Sequence, residues 1–210
     1  NTLLNRIAQV LTWQSMLWTV FGFGVINALL LFYFIGNISN HHSDSKTPWI
    51  KPLKRTLKNS KIWIISLCCA CIYLPFALFN DLWGQPFFQV VAHLNIIKSG
   101  NLISTIWGGW IIGGFTLGFL SRYYTNLEKL ILYCIMIQLL DLTLLWLWPK
   151  PWTYTGLLFF SAILGVSAAG MNLCYVWGQR VDLKTATATT TAFINAIITV
   201  IVLIAIPRMK

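Results

Sequence analysis

The sequence predicts an all-α integral membrane protein, a polytopic helical bundle of about six transmembrane helices. Three observations carry this. The chain of 210 residues is 57% hydrophobic and only 10% charged, where an average soluble domain carries about 25% charged residues. So few charges cannot cover a water-facing surface unless lipid takes the place of much of the water. The apolar residues come in six runs, each near the roughly 20 residues that a helix needs to cross the hydrocarbon core. No alternation of period two runs through them, which argues against a lipid-spanning barrel.

The first run covers 13–35. A polar stretch, 36–61, follows, and ends in KPLKRTLKNSK at 51–61 with Leu53 and Leu57 four apart. Two readings fit this segment: a short helix lying on an anionic leaflet, or a solvated linker whose charges set topology. The second run, 62–80, contains Pro75 and leads into a polar cluster. The third, 102–120, is rich in glycine, and the fourth, 130–148, holds Asp141. The fifth is 152–174 with an extension toward Trp177, and the sixth is 186–206, closed by Pro207. Trp13, Trp63, Trp83, Tyr123, Trp146, Trp148, Trp152, Tyr154 and Trp177 gather near the ends of the runs, where amphipathic rings sit at membrane interfaces. The chain divides accordingly into a first transmembrane helix (1–35), a basic connector (36–61) and a five-helix bundle (62–210).

Lysine and arginine set the expected orientation. Lys46, Lys51, Lys54, Arg55, Lys58, Lys61, Arg122, Lys129, Arg180 and Lys184 fall in connections on one side, ten residues in all. Arg6, Lys98, Lys150, Arg208 and Lys210 make five on the other. The bias puts the long loop in the cytoplasm and both ends outside. The net charge of +10 is then a topology signal. No basic stripe interleaves with stacking aromatics, so the expected partner is the lipid bilayer and not a nucleic acid. Cys68, Cys69, Cys71, Cys134 and Cys174 lie in apolar runs with no CxxC pair, which reads as buried, reduced thiols. The chain begins at Asn1 with no n-region, h-region and cleavage site in order. That start reads as a processing point or as the cut end of a longer chain.

Several residues invite a functional reading beside a structural one. Gly109 and Gly113 are four apart, as are Gly114 and Gly118; small residues at that spacing let helices approach closely, for packing or for sliding. Asp141 is the one carboxylate deep in an apolar run. A charge there costs about 2.5–3.5 kcal/mol on insertion scales, so the carboxyl must be protonated, paired or turned toward protein. A hydrogen bond to a neighbouring helix near Gln138 is favoured over proton coupling. Asn80, Asp81, Trp83 and Gln85, flanked by Pro75 and Pro86 with Gly84 inside, read as a broken helix end: either solute or gate contacts, or a polar loop anchored by Trp83. Asn172 and Asn195 are expected as buried amides bonding between helices, with solute contact as the second reading. His41, His42 and His93 have no partner at metal-ligand spacing.

Five stretches resemble the major facilitator superfamily of secondary transporters. The basic loop 36–61 resembles the connector between that family's two halves. The second run with NDLWGQPF at 80–87 resembles its seventh helix, and GWIIGGFTLGFLSR at 109–122 the glycine-rich end of its eighth. GVSAAGMN at 165–172 and TATATTTAFIN at 185–195 resemble the tenth helix and the start of the eleventh. The sequence departs from the family after Ser121, where Arg122 stands at or beside the place of an acid, and the downstream basic cluster is reduced to Lys129 next to Glu128. The resemblance implies helices six to eleven of twelve, secondary transport of a small solute by alternating access with a proton as a possible couple, and the missing remainder of the carrier as a partner. It implies a bacterial inner membrane, no cofactor and no covalent catalysis. A non-transporting scaffold or carrier remnant stays open as an alternative. A polytopic enzyme is disfavoured, since HExxH, GxSxG and paired intramembrane acids are absent from the sequence.

Overall fold

The computed structural model describes residues 13–36, 50–147, 153–181 and 187–206, and these are helical apart from short turns and caps. His41, His42, half of the long loop (37–49), Trp148, Trp152, and the basic residues Arg6, Lys46, Lys150, Lys184, Arg208 and Lys210 lie outside the described residues. The chain divides into two units, Asn1–Thr47 and Pro48–Lys210. The boundary thus falls inside the stretch read as connector, and Pro48 onward belongs with the bundle.

In the first unit, α1 spans Trp13–Gly36. It is apolar on all sides, with Leu17, Trp18, Phe21, Phe32 and Tyr33 all more than half exposed. An all-round apolar helix suits lipid or a protein neighbour and not water.

In the second unit, α2 spans Ile50–Lys58. Asn59, extended at φ −87° and ψ 102°, ends it and caps the next helix by accepting from Lys61 N–H. That helix begins as α3 (Ser60–Ala77), widens into a π turn over Leu78–Trp83, and finishes as α4 (Gly84–Val90). His93, at φ 51°, turns the chain, and Asn95 caps α5 (Ile96–Tyr123) by accepting from Lys98 N–H at 2.8 Å. Then come α6 (Leu127–Leu147), α7 (Tyr154–Ala168), α8 (Met171–Val181) and α9 (Thr187–Ala205).

Six stretches are long and apolar enough to cross a membrane: Leu17–Phe34, Ser60–Val90, Ile96–Tyr123, Leu127–Leu147, Tyr154–Val181 and Thr187–Ala205. Each expected run is among them. The protein is an all-α membrane helical bundle. The second span corrects its expected end, since the chain remains helical through Val90 instead of breaking at Asn80. Neither Pro75 nor Pro86 stops it.

The fifth span, α7 with α8, is the hub. It packs on α5, α6, α3 and α9, and α3 adds contacts to α6 and α9. Two apolar clusters form the core. Ile65, Ile72, Leu117, Ile131, Leu173 and Ile194 belong to one. Phe76, Phe88, Leu102, Ile106, Leu157 and Leu164 belong to the other. The inward seam of α6 runs from the first cluster (Leu127, Ile131, Cys134) to the second (Leu145) and crosses two polar residues, Gln138 and Asp141, on the way. Cys69, Cys134 and Cys174 are buried as expected, whereas Cys68 is half-buried and Cys71 exposed. The apolar run around them is wide enough to cover both the inner and the outer face of α3.

Candidate functional site

Two of the spans are irregular, and the polar residues sit beside the irregularities. In the second span, Pro75 has no N–H to donate and its ring crowds the carbonyl four residues back. The carbonyl left without that donor is Cys71's, and beside it Gln138 of α6 donates from Nε2 to the Ile72 carbonyl at 3.0 Å, an interhelical bond next to the proline. Farther along, Pro86 lacks the N–H that would bond Leu82, and the helix widens just before it. The Gly84 N–H reaches back five residues to the Phe79 carbonyl, the π pattern found often at functional sites. Gly84 is required there, because a Cβ would stand 2.6 Å from Phe79 O and 2.7 Å from Ile103 Cδ1.

The π turn sorts the expected cluster. Asn80 points inward, 5% exposed, and donates from Nδ2 to Asp81 Oδ1 at 2.6 Å. Its own Oδ1 is buried without a hydrogen-bond partner. Asp81, Trp83 and Gln85 are exposed. Asp81 lies 21 residues beyond Ser60, roughly 30 Å at ~1.5 Å per residue, which is about one hydrocarbon thickness. The cluster stands in the last third of the Ser60–Val90 span, on a continuous helix and not on a broken end.

The fifth span is interrupted between α7 and α8. The N–H groups of Gly170, Asn172 and Leu173 bond carbonyls three residues back, at 3.0 Å each, so the helix tightens there. Gly170 permits it, since a Cβ would meet Cys134 Cβ at 2.7 Å. Asn172 follows at once. It was expected to be buried, and so was Asn195; both are exposed. The reason is rotation: α9 turns Thr190, Ile194 and Ile198 inward, and α8 turns Leu173, Cys174 and Gly178 inward, which leaves the amides on an open face.

On that face the two helices are laced by polar side chains. The Tyr175 hydroxyl donates to Asn195 Oδ1, and Gln179 Nε2 donates to Thr191 Oγ1 at 3.3 Å. Asn172 lies one turn before Tyr175 and borders an open groove of about 430 Å³ with Trp110, Ile111, Gly114 and Phe115. The Trp110 indole N–H is buried without a partner. Asn172 and Asn195 are thus brought onto one stripe. Tyr175, Gln179 and Thr191 complete it and were missed. The signal was there: 172, 175 and 179 share one helix face, as do 191 and 195.

Asp141 is 7% exposed and turned toward protein, but the expected bond near Gln138 is absent. The Gln138 amide is committed to the Ile72 carbonyl, and Asp141 Oδ2 is left without a partner. The glycines divide. Gly109 and Gly113 are buried against the backbone of Ala162 and Val166 on α7, while Gly114 has only Asn172 nearby and Gly118 has open space. Arg122 is exposed. The end of α5 is met instead by Arg180, whose guanidinium donates to the Ser121 carbonyl at 3.0 Å, a cation on helix-terminal carbonyls. Among the described residues no three His, Cys, Asp or Glu side chains gather as a metal would need.

Compared with known protein families, curated proteins and solved structures, the chain matches none.

Proposed function

We propose that this chain is part of a secondary carrier that moves a small solute across a membrane by alternating access, with Asn172, Tyr175, Gln179, Thr191 and Asn195 on its path. The observation that carries the reading is the polar stripe on α8 and α9, with Asn172, Gln179 and Asn195 exposed and Tyr175 and Thr191 half-buried, on spans apolar enough to cross a membrane. Hydrocarbon cannot satisfy amides and hydroxyls, and polar residues there face a protein neighbour or a water-filled cavity. The stripe adjoins the interruption at Gly170, and a π turn in another span carries Asn80 and Asp81. Paired interrupted spans mark binding sites in transporter folds. The stripe is uncharged and therefore suits a neutral solute, with the π turn as the outer mouth. The resemblance of the sequence to the major facilitator superfamily supports the same reading and supplies the rest of the carrier as partner. The basic bias supports a cytoplasmic long loop, and the membrane we propose is a bacterial inner one, as the family resemblance suggests.

The test is water access. In a Cys71→Ala background, Asn172→Cys and Asn195→Cys react with a charged, membrane-impermeant thiol reagent, while Leu203→Cys, 61% exposed on an apolar face, does not. Rates that shift with candidate solutes identify the cargo. If the stripe cysteines are as inert as the Leu203 control, the face is covered by lipid or protein and the reading fails.

A further inference from the structure

The proposed solute path does not involve α2. Its nine residues, Ile50–Lys58, present three distinct sectors around one short helix. At 100° per residue, Pro52 and Thr56 share one sector, Leu53, Leu57 and Ile50 the next, and Lys54, Lys58, Lys51 and Arg55 the third. Thr56 is fully buried although its segment is otherwise polar, and α2 packs on α9 and α3. The first sector is therefore the one held by the bundle. The second remains open, with Ile50 and Leu57 each 44% exposed. The third is exposed throughout, as is Lys61 just beyond it, and no acidic residue occurs in 50–61.

The helix is also fixed in place. Asn59 is the single residue between α2 and the membrane span that starts at Ser60. The Trp63 indole N–H donates to the Leu57 carbonyl at 3.0 Å, and the Trp63 ring meets Phe193 of α9 edge-on at 5.0 Å. An apolar sector beside a basic sector, pinned one residue from a span, is the geometry of a helix that lies in a membrane interface.

We propose that α2 docks anionic phospholipid: Ile50, Leu53 and Leu57 against the acyl chains, and Lys51, Lys54, Arg55, Lys58 and Lys61 on the phosphate headgroups. Charge complementarity selects this occupant, since basic residues next to a membrane are drawn to its anionic lipids. A zwitterionic surface offers them no net attraction. This inference does not depend on the transport reading.

The test is hydrogen exchange of the α2 amides with the whole chain in lipid nanodiscs. In discs of two parts phosphatidylcholine to one part phosphatidylglycerol, exchange is expected to be at least severalfold slower than in phosphatidylcholine alone. About 1 M sodium chloride, which shortens the Debye length to ~3 Å, should remove much of the difference. The variant carrying Lys51→Gln, Lys54→Gln, Arg55→Gln and Lys58→Gln should lose it while exchange in α5 and α9 stays unchanged, which shows that the bundle is intact. Equal exchange in the two lipids overturns the proposal. So does a slowing that survives in the four-fold variant, or one reproduced by inorganic phosphate in discs of phosphatidylcholine alone, which would mark a free-anion site.

Discussion

Replacing Gly113 by alanine probes the packing on which the hub depends. A Cβ at Gly113 would stand 2.7 Å from Val166 O, 2.8 Å from Val166 Cα and 2.9 Å from Ala169 Cβ. Ordinary contact begins near 3.4 Å, so α5 must retreat from α7 by about 0.7 Å. The opposing atoms are mostly backbone and cannot rotate away. Overpacking of this kind costs about 1–3 kcal/mol, against a gain of up to ~1 kcal/mol in helix propensity from Gly to Ala. Gly118→Ala meets nothing within 4 Å and keeps only the gain. The two variants should therefore move in opposite directions. Gly113→Ala should lose about 1–2 kcal/mol of unfolding free energy and Gly118→Ala should gain a few tenths or more, read by thermal or denaturant unfolding in one detergent. Equal stability for both would refute the claim that α5 and α7 touch through Gly113.

Three other outcomes follow from the buried polar groups and from topology. Gln138→Leu removes the interhelical bond to the Ile72 carbonyl and should destabilise by about 0.5–1.5 kcal/mol; unchanged stability would mean that this bond does not help hold α6 on α3. Asp141→Leu removes a buried carboxyl whose Oδ2 has no partner and should be neutral or stabilising, whereas a loss of more than about 2 kcal/mol would reveal a partner for it. For orientation, Thr56 is unsuitable for labelling because it is fully buried. Lys58→Cys should react with impermeant thiol reagents from the cytoplasmic side, and Val91→Cys, 59% exposed beyond α4, from outside; the reverse pattern would invert the proposed topology.

The sequence by itself determined the class of this protein and where its spans lie. Membrane insertion depends on apolar residues added up along a window, a property of the chain that needs no neighbour. All six runs are therefore legible without coordinates. The basic, amphipathic character of α2 was legible too, because periodicity is local. What the chain could not decide was which way each side chain turns. Asn172 and Asn195, read as buried, lie on an open face, while Thr56, on a basic segment, is buried. Gly113 and Gly114 are adjacent, yet one faces the backbone of α7 and the other faces open space beside Asn172. In a helix that is apolar on every side the hydrophobic pattern names no inner face. Contact with neighbours chooses it, and those contacts come from residues far along the chain. The same holds for Pro75 and Pro86: both sequence rules and sterics say that proline disrupts a helix, but only the structure shows that the helix runs on past the first and that a π turn forms just ahead of the second.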